Sequence, residues 1–240
     1  MRFLEIFKRM HIINKCLLCH EPIPYDDESG FCVDCIDEWN AFLNVKCVKC
    51  GYKIGECTCV PRLIKESSNY GFVTCAFYSP KAKLPANKLI YTLKRDFDTD
   101  LINFMAKMMV KNLLILGKRH GINFSEYTAT FVTRRNSGKR KYGFDHTEYL
   151  AKYVAKRLGI KCERTISNVG YVEQKSLTKN ERLENAQISF EIYKKSNVKG
   201  RKFLLIDDII TSGATMRACI DILKENGATE VIPLSFAKDN

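Results

Sequence analysis

Residues 204–215 read Leu204-Leu205-Ile206-Asp207-Asp208-Ile209-Ile210-Thr211-Ser212-Gly213-Ala214-Thr215. An apolar run ends in two adjacent carboxylates, a hydroxyl- and glycine-rich turn follows, and an amphipathic segment continues to Gly227. This pattern spells a buried strand, a loop and the N-terminus of a helix. Backbone N–H groups at such a place, with the helix dipole behind them, form an anion site. Thr211, Ser212 and Thr215 add hydroxyl donors. Like charges repel, so Asp207 and Asp208 suit sugar hydroxyls or a metal rather than a phosphate. Phosphate and polyol side by side point to a phosphorylated sugar.

The N-terminus carries a different chemistry. Cys16-x-x-Cys19 and Cys32-x-x-Cys35 form one pair of knuckles, and Cys47-x-x-Cys50 with Cys57-x-Cys59 forms another. Two thiolates two residues apart grip one tetrahedral ion, and a second such pair completes a closed structural zinc site. Pairing can be sequential or interleaved. Sequential pairing closes shorter loops at lower entropic cost, so two zinc ions are expected, one on Cys16, Cys19, Cys32 and Cys35 and one on Cys47, Cys50, Cys57 and Cys59. His20, beside the first knuckle, is either a spare ligand or a surface residue. The alternative to zinc, a disulfide framework, needs an oxidising compartment. The opening residues MRFLEIFKRMHIIN lack a secretory apolar core and a small-residue cleavage site. A reducing, cytoplasmic location is therefore expected. Cys75, Cys162 and Cys219 stand alone and read as small apolar side chains.

Length suggests a small module followed by a main domain, with the boundary near residue 65. A module of that size cannot hold itself by core burial, so metal would supply much of its folding energy. Residues 1–65 balance nine Lys/Arg against nine Asp/Glu, and the formal +12 of the chain sits in 66–240. A basic body suits pyrophosphate or nucleic acid. No stretch approaches the ~18 apolar residues of a membrane span.

The densest basic cluster, Arg134-Arg135-Asn136-Ser137-Gly138-Lys139-Arg140-Lys141, follows a strand-like Thr128–Val132. It precedes Asp145-His146-Thr147-Glu148, a capping-box-like helix start, and a helix that stops at Gly159. Loops of this kind at the carboxyl edge of a parallel sheet face a ligand crevice. Further strands are expected at 161–169, 202–206 and 231–236, and a helix at 98–116 with Leu101, Met105, Met108 and Ile115 inward. Alternating strands and helices give an α/β fold with a parallel sheet. The polar stretch 170–189 is too long for a mere connection.

Residues 204–215 resemble the phosphoribosyl pyrophosphate (PRPP) loop of type I phosphoribosyltransferases: apolar strand, paired acids, two apolar positions, Thr-Thr/Ser-Gly and a downstream Thr. Taken with the cysteine knuckles, the Gly143-Phe144 loop and Gln174, Leu177, Arg182, Asn185 and Phe190, the chain resembles the competence protein F (ComF) family from Cys16 to about Phe236. Where that family's loop typically reads Arg-Gly-Phe-Asn-Gln, this one reads Tyr142-Gly143-Phe144-Asp145-His146.

The resemblance implies a type I phosphoribosyltransferase-like domain over 66–240 with a double zinc-ribbon module over 1–65. It implies that PRPP binds with Mg²⁺, its ribose oriented by Asp207 and Asp208 and its 5′-phosphate held by Thr211, Ser212, Gly213, Ala214 and Thr215. Arg134, Arg135 and Arg182 would neutralise pyrophosphate, and 174–185 would form a flap. Two functions follow as expectations. One is handling of incoming single-stranded DNA in natural transformation, with helicase-like and recombination partners. The other is phosphoribosyl transfer to a nucleobase or amine acceptor. Tyr142 and Phe144 amid Lys/Arg would suit a base-stacking surface, although Phe144 reads more readily as a buried anchor.

Overall fold

The computed structural model describes residues 14–24, 29–65, 68, 70, 72–134, 143–170 and 188–240. Its centre is a four-stranded parallel sheet in the order β3 (Ala76–Tyr78), β8 (Glu230–Asp239), β7 (Lys202–Ile210), β4 (Tyr127–Phe131). The two inner strands are apolar on both faces, as a covered parallel sheet demands. Alternation divides them. Leu204, Ile206, Leu234 and Phe236 enter one core, and Phe203, Leu205 and Val231 enter the other. The first core is covered by α3 (Pro85–Arg95), α4 (Thr99–His120) and α5 (His146–Leu158); the second lies under α6 (Ala214–Glu225).

The cysteine-rich segment contributes two short strands, β1 (Asn14–Lys15) and β2 (Pro22–Ile23), and two helices, α1 (Val33–Leu43) and α2 (Arg62–Lys65). It shares the first core. Trp39 of α1 stacks on Phe31 at 5.7 Å between ring centroids and on Phe236 of β8 at 6.5 Å, and meets Phe104 of α4 edge-on at 5.5 Å.

Several expectations need correction. The segment 161–169 is not one strand of the main sheet. Residues 161–163 bridge β4 through Ala129, whose amide donates to Lys161 O at 2.8 Å. The chain then bends, and β5 (Ile166–Asn168) pairs antiparallel with β6 (Phe190–Ile192) in a separate hairpin. Val169 and Gly170 amides both donate to Ser189 O and close its base. The edge strand β3 was not foreseen, since three residues carry too little periodicity. Strand β7 runs on past the acids to Ile210, held by β8 through Ile210↔Lys238.

Helix α4 extends to His120, where Gly121 closes it. Its inward face is Leu101, Ile102, Met105, Met109 and Leu113; Ile115 is 52% exposed. At 3.6 residues per turn Ile115 lies about 160° around the axis from Leu113, two residues earlier, so it faces outward where Leu113 faces in. Asp145 caps nothing with its side chain. It accepts instead from the Arg134 amide at 3.0 Å.

Trp39 is nearly fully buried in an aromatic cluster joining three elements. Trp39→Ala should therefore cost about 3–5 kcal/mol in urea unfolding. Tyr52, 58% exposed, should tolerate alanine within about 0.5 kcal/mol.

Candidate anion site and cysteine metal centres

A cavity of about 570 Å³ opens at the carboxyl end of β7 and β3, lined by Asp207, Thr211, Ser212, Gly213, Ala214, Thr215, Tyr78, Pro80 and Lys94 among others. Its floor is the turn into α6. Gly213 sits at the N-cap with φ 84°, in the left-handed region, which glycine adopts without a Cβ penalty. Ala214, Thr215 and Met216, the first residues of α6, line the cavity, and Ser212 Oγ accepts from Ala214 N at 3.4 Å. Amides at a helix start beside three hydroxyls make an anion cradle.

Alternation along β7 separates the two acids. Asp207 lines the cavity and is partly buried, whereas Asp208 is buried at 4% exposure. Asp208 Oδ2 lies 2.7 Å from Lys94 Nζ of α3 and 3.2 Å from His146 Nε2 at the first turn of α5. Burial alone would raise its carboxyl, but Lys94 and then His146 outweigh it and hold Asp208 well below the usual carboxylate range. Asp207 goes the other way: burial, and then the charge of Asp208, push it well up. Lys94 is raised because Asp208 outweighs the burial that opposes its charge.

Arg134 completes the arrangement from behind. Its guanidinium donates twice to Lys94 O at 3.3 Å, and its amide is the donor held by Asp145. Arg134 thus fixes the end of α3 that presents Lys94. Arg135, Arg182, and Gln174, Leu177 and Asn185 of the expected flap lie outside the described residues, as does the rest of the basic loop through Tyr142. Phe144 is half-buried, edge-on to Phe97 and Tyr149 at 5.7 and 6.4 Å.

Lys94, Tyr78 and Pro80 were not singled out in the sequence. The signal for Lys94 was weak: one lysine in the last turn of an amphipathic helix. Tyr78 shares its hydroxyl with Tyr91 at 3.3 Å, which together with burial pushes it up to about 12.

The eight knuckle cysteines gather in two sequential groups, Cys16/Cys19/Cys32/Cys35 and Cys47/Cys50/Cys57/Cys59, the ligand atoms within each group lying within 4.8 Å of one another. Interleaved pairing is thereby excluded for this geometry. The two knuckles repeat one device. His20 and Gly51 both take positive φ, 65° and 74°, and their amides return to Cys16 O and Cys47 O at 2.9 Å. His20 is exposed and outside the cluster.

The donor set fits zinc. Sγ separations of 3.7 Å (Cys19–Cys32) and 3.5 Å (Cys50–Cys57) suit a tetrahedron with Zn–S of about 2.3 Å. Thiols this close resist joint ionisation without a cation. Burial opposes Cys16, yet the amides of Cys19, Cys32 and Leu18 draw it to about 6. Burial likewise opposes Cys47, and the amides of Lys49 and Cys50 draw it to about 6. Cys35 is pushed far up by burial and its three neighbours, and Cys59 up to about 12, first by Cys50. Burial raises Cys75, Cys162 and Cys219, in keeping with their apolar reading.

Comparison with known proteins agrees with this geometry. The model of the family described as "Phosphoribosyl transferase domain" matches residues 147–240. The chain is 49% identical over 49 residues to an adenine phosphoribosyltransferase from Treponema denticola, a match covering 20% of this chain and 26% of that protein. Another, from Dichelobacter nodosus, is 30% identical over 91 residues, 34% of this chain and 46% of that one. The chain thus spans about a quarter to a half of the length of these relatives. The DNA utilization protein YhgH of Salmonella typhi is 23% identical over 220 residues, 90% of this chain and 93% of that protein. Among solved structures, the allosteric regulatory enzyme of purine biosynthesis is similar at a TM-score of 0.36 and 20% identity, over 56% of this chain and 25% of that one. The fold is that of a parallel-sheet phosphoribosyltransferase, preceded by clustered cysteines with the chemistry of zinc sites. Among the described residues no helix is long and apolar enough to cross a membrane.

Two measurements test these sites. Elemental analysis of the purified protein should give close to two zinc ions, and Cys16→Ser should lose one. Lys94→Met should destabilise by about 1–3 kcal/mol near neutral pH. That is below the ~3–5 of a broken buried pair, because Lys94 is a third exposed and His146 remains. A depressed carboxylate contributes its stability above its unfolded pKa near 4 and loses it as pH falls through the folded value. The gap between wild type and variant in acid titrations of unfolding should therefore narrow below about pH 4.

Proposed function

We propose that this chain is a ComF-like protein that binds PRPP with Mg²⁺ in the cavity beside α6 and engages single-stranded DNA during DNA uptake. The observation that carries the PRPP reading is the juxtaposition of an anion cradle at 211–215 with the cavity-lining carboxylate of Asp207. The cradle would hold the 5′-phosphate through amides and hydroxyls. Asp207, facing the cavity, would accept from ribose hydroxyls. Asp208 would act at one remove, holding Lys94 at the cavity wall, where the ammonium is placed to meet the pyrophosphate.

Mg²⁺ fits an oxygen-rich site of this kind; it would sit on the ligand's pyrophosphate and hydroxyls near Asp207 and offset their charge. Displacement at the anomeric carbon passes through an oxocarbenium-like state, so placed charge matters more than a covalent nucleophile. The DNA reading rests on the basic body and on similarity to a protein named for DNA utilization. Turnover is the second reading, favoured by the phosphoribosyl transferase match over α5 to β8. The acceptor would then be a nucleobase or amine.

Calorimetry with Mg²⁺ should show PRPP binding. Asp207→Asn should weaken it by about 1.5–3 kcal/mol, the value of hydrogen bonds to a charged group, because bound Mg²⁺ would favour the ionised carboxyl that burial and Asp208 oppose in its absence. Unchanged affinity would remove the ribose from Asp207. PRPP consumption with and without nucleobases, amines and DNA distinguishes turnover from binding alone. In gel shifts, single-stranded DNA should bind with log affinity falling linearly in log salt. Neutralising Arg134, Arg135, Lys139, Arg140 and Lys141 together should flatten that slope. If no DNA binds even at low salt, the small-molecule transferase reading takes its place.

A further inference from the structure

Lys238 is a lysine inside a parallel sheet. It lies near the end of β8, opposite Ile210 of β7, and is 3% exposed. A buried ammonium is costly unless charge and hydrogen bonds meet it. Here Nζ donates to Cys57 Sγ at 3.0 Å and to Cys59 O at 2.8 Å, and lies 5.6 and 5.8 Å from the ring centroids of Phe77 and Phe72. A zinc ion on four thiolates carries a net charge of about −2. The cation thus sits against a cysteine cluster whose charge would match it. Asn240 adds to the same docking: its Oδ1 accepts from Val48 N at 3.0 Å.

The chain leaving Cys59 goes directly to the anion cradle. Pro61 and Ile64 lie under Gly213, so close that a Cβ there would meet Ile64 Cγ1 at 3.1 Å and Pro61 Cβ at 3.3 Å. Arg217, in the first turns of α6, donates to Leu63 O at 3.2 Å. The segment 57–65 is therefore clamped at one end by the second cluster and Lys238 and at the other by the turn that forms the cradle. The two ends of β7 and β8 that flank this clamp, Ile210 and Lys238, are paired in register.

We propose that Lys238 is a positioning residue, the charge partner of the second cysteine site, and that metal in this site is the strut that fixes the anion-binding turn. The proposal rests on zinc filling Cys47/Cys50/Cys57/Cys59. An ion held by the four sulfurs would fix Cys57 and Cys59 against Lys238, and through the segment that follows would anchor Pro61 and Ile64 beneath Gly213. Near the first cysteine site, Trp39 packs instead on Phe31, Phe104 and Phe236.

The test uses the full zinc-loaded chain and two readouts: zinc release to a chromogenic chelator, and hydrogen exchange at 211–216. The wild type should hold two ions; one ion or none would overturn the metal reading itself, before Lys238 is touched. In Lys238→Met one of the two ions should leave at least about tenfold faster, the usual scale for an outer-shell partner. Exchange at 211–216 should rise while β4 amides stay protected, and Lys238→Arg should restore much of both. Wild-type release rates in Lys238→Met, or unchanged exchange in the turn, overturn the proposal. A second measurement does not depend on the variant folding. As chelator strips the wild type, protection of 211–216 should fall in step with one release phase while β4 amides stay protected. Protection that outlasts both phases overturns the strut. Neither readout requires PRPP, so failure here is separate from failure of ligand binding.

Discussion

Two carboxylates on consecutive residues cannot both be buried and charged without cations to receive them. Asp207 and Asp208 end the apolar run of the central strand, and much around them answers that constraint. Pleating sends one acid to the cavity and the other toward α3 and α5. Lys94 and His146 converge on Asp208. Arg134 then holds the carbonyl of Lys94, and Asp145 holds the amide of Arg134. A chain of polar contacts so links the end of β4, the end of α3 and the start of α5 around one buried anion. Asp207 accepts from the Asp208 amide at 2.9 Å and lines the cavity, where a ligand or ion can meet it.

The cysteine clusters pose the same problem in another form. Four thiols within 4.8 Å ionise together only around a cation. The protein places these clusters against the sheet, one through a stack of aromatic rings and one through a buried lysine. The N-terminal segment is thus bonded to β8 through Lys238 and to α6, whose start forms the anion cradle, through Arg217.

The apolar run, the paired acids and the Thr-Ser-Gly turn were legible because strand, loop and helix start are all set by neighbours in sequence. The knuckles were legible for the same reason, and loop entropy favoured the sequential pairing that the structure has. Reading failed where the determinant was a distant partner. The stretch 161–169 has strand-like residues, yet its bend and its pairing with 190–192 depend on a segment some twenty residues away. Asp145 reads as a helix cap, yet the amide of Arg134 competes for its carboxylate and wins. The inward face of α4 was misplaced in its last turns because the register of a long helix is set by what it packs against.

The sequence by itself therefore determined the kinds of chemistry present: an anion-binding turn, a pair of acids and eight zinc-type ligands. Each is a local pattern in which a few neighbouring residues suffice. The tertiary structure alone decided which acid faces the cavity, that Lys94 and His146 hold the other, and that Lys238 lies against Cys57. These are encounters between residues about 60 to 180 positions apart. Their energy is the attraction between partners brought to one point in space, set against the cost of taking charges out of water, and spacing along the chain carries no record of it.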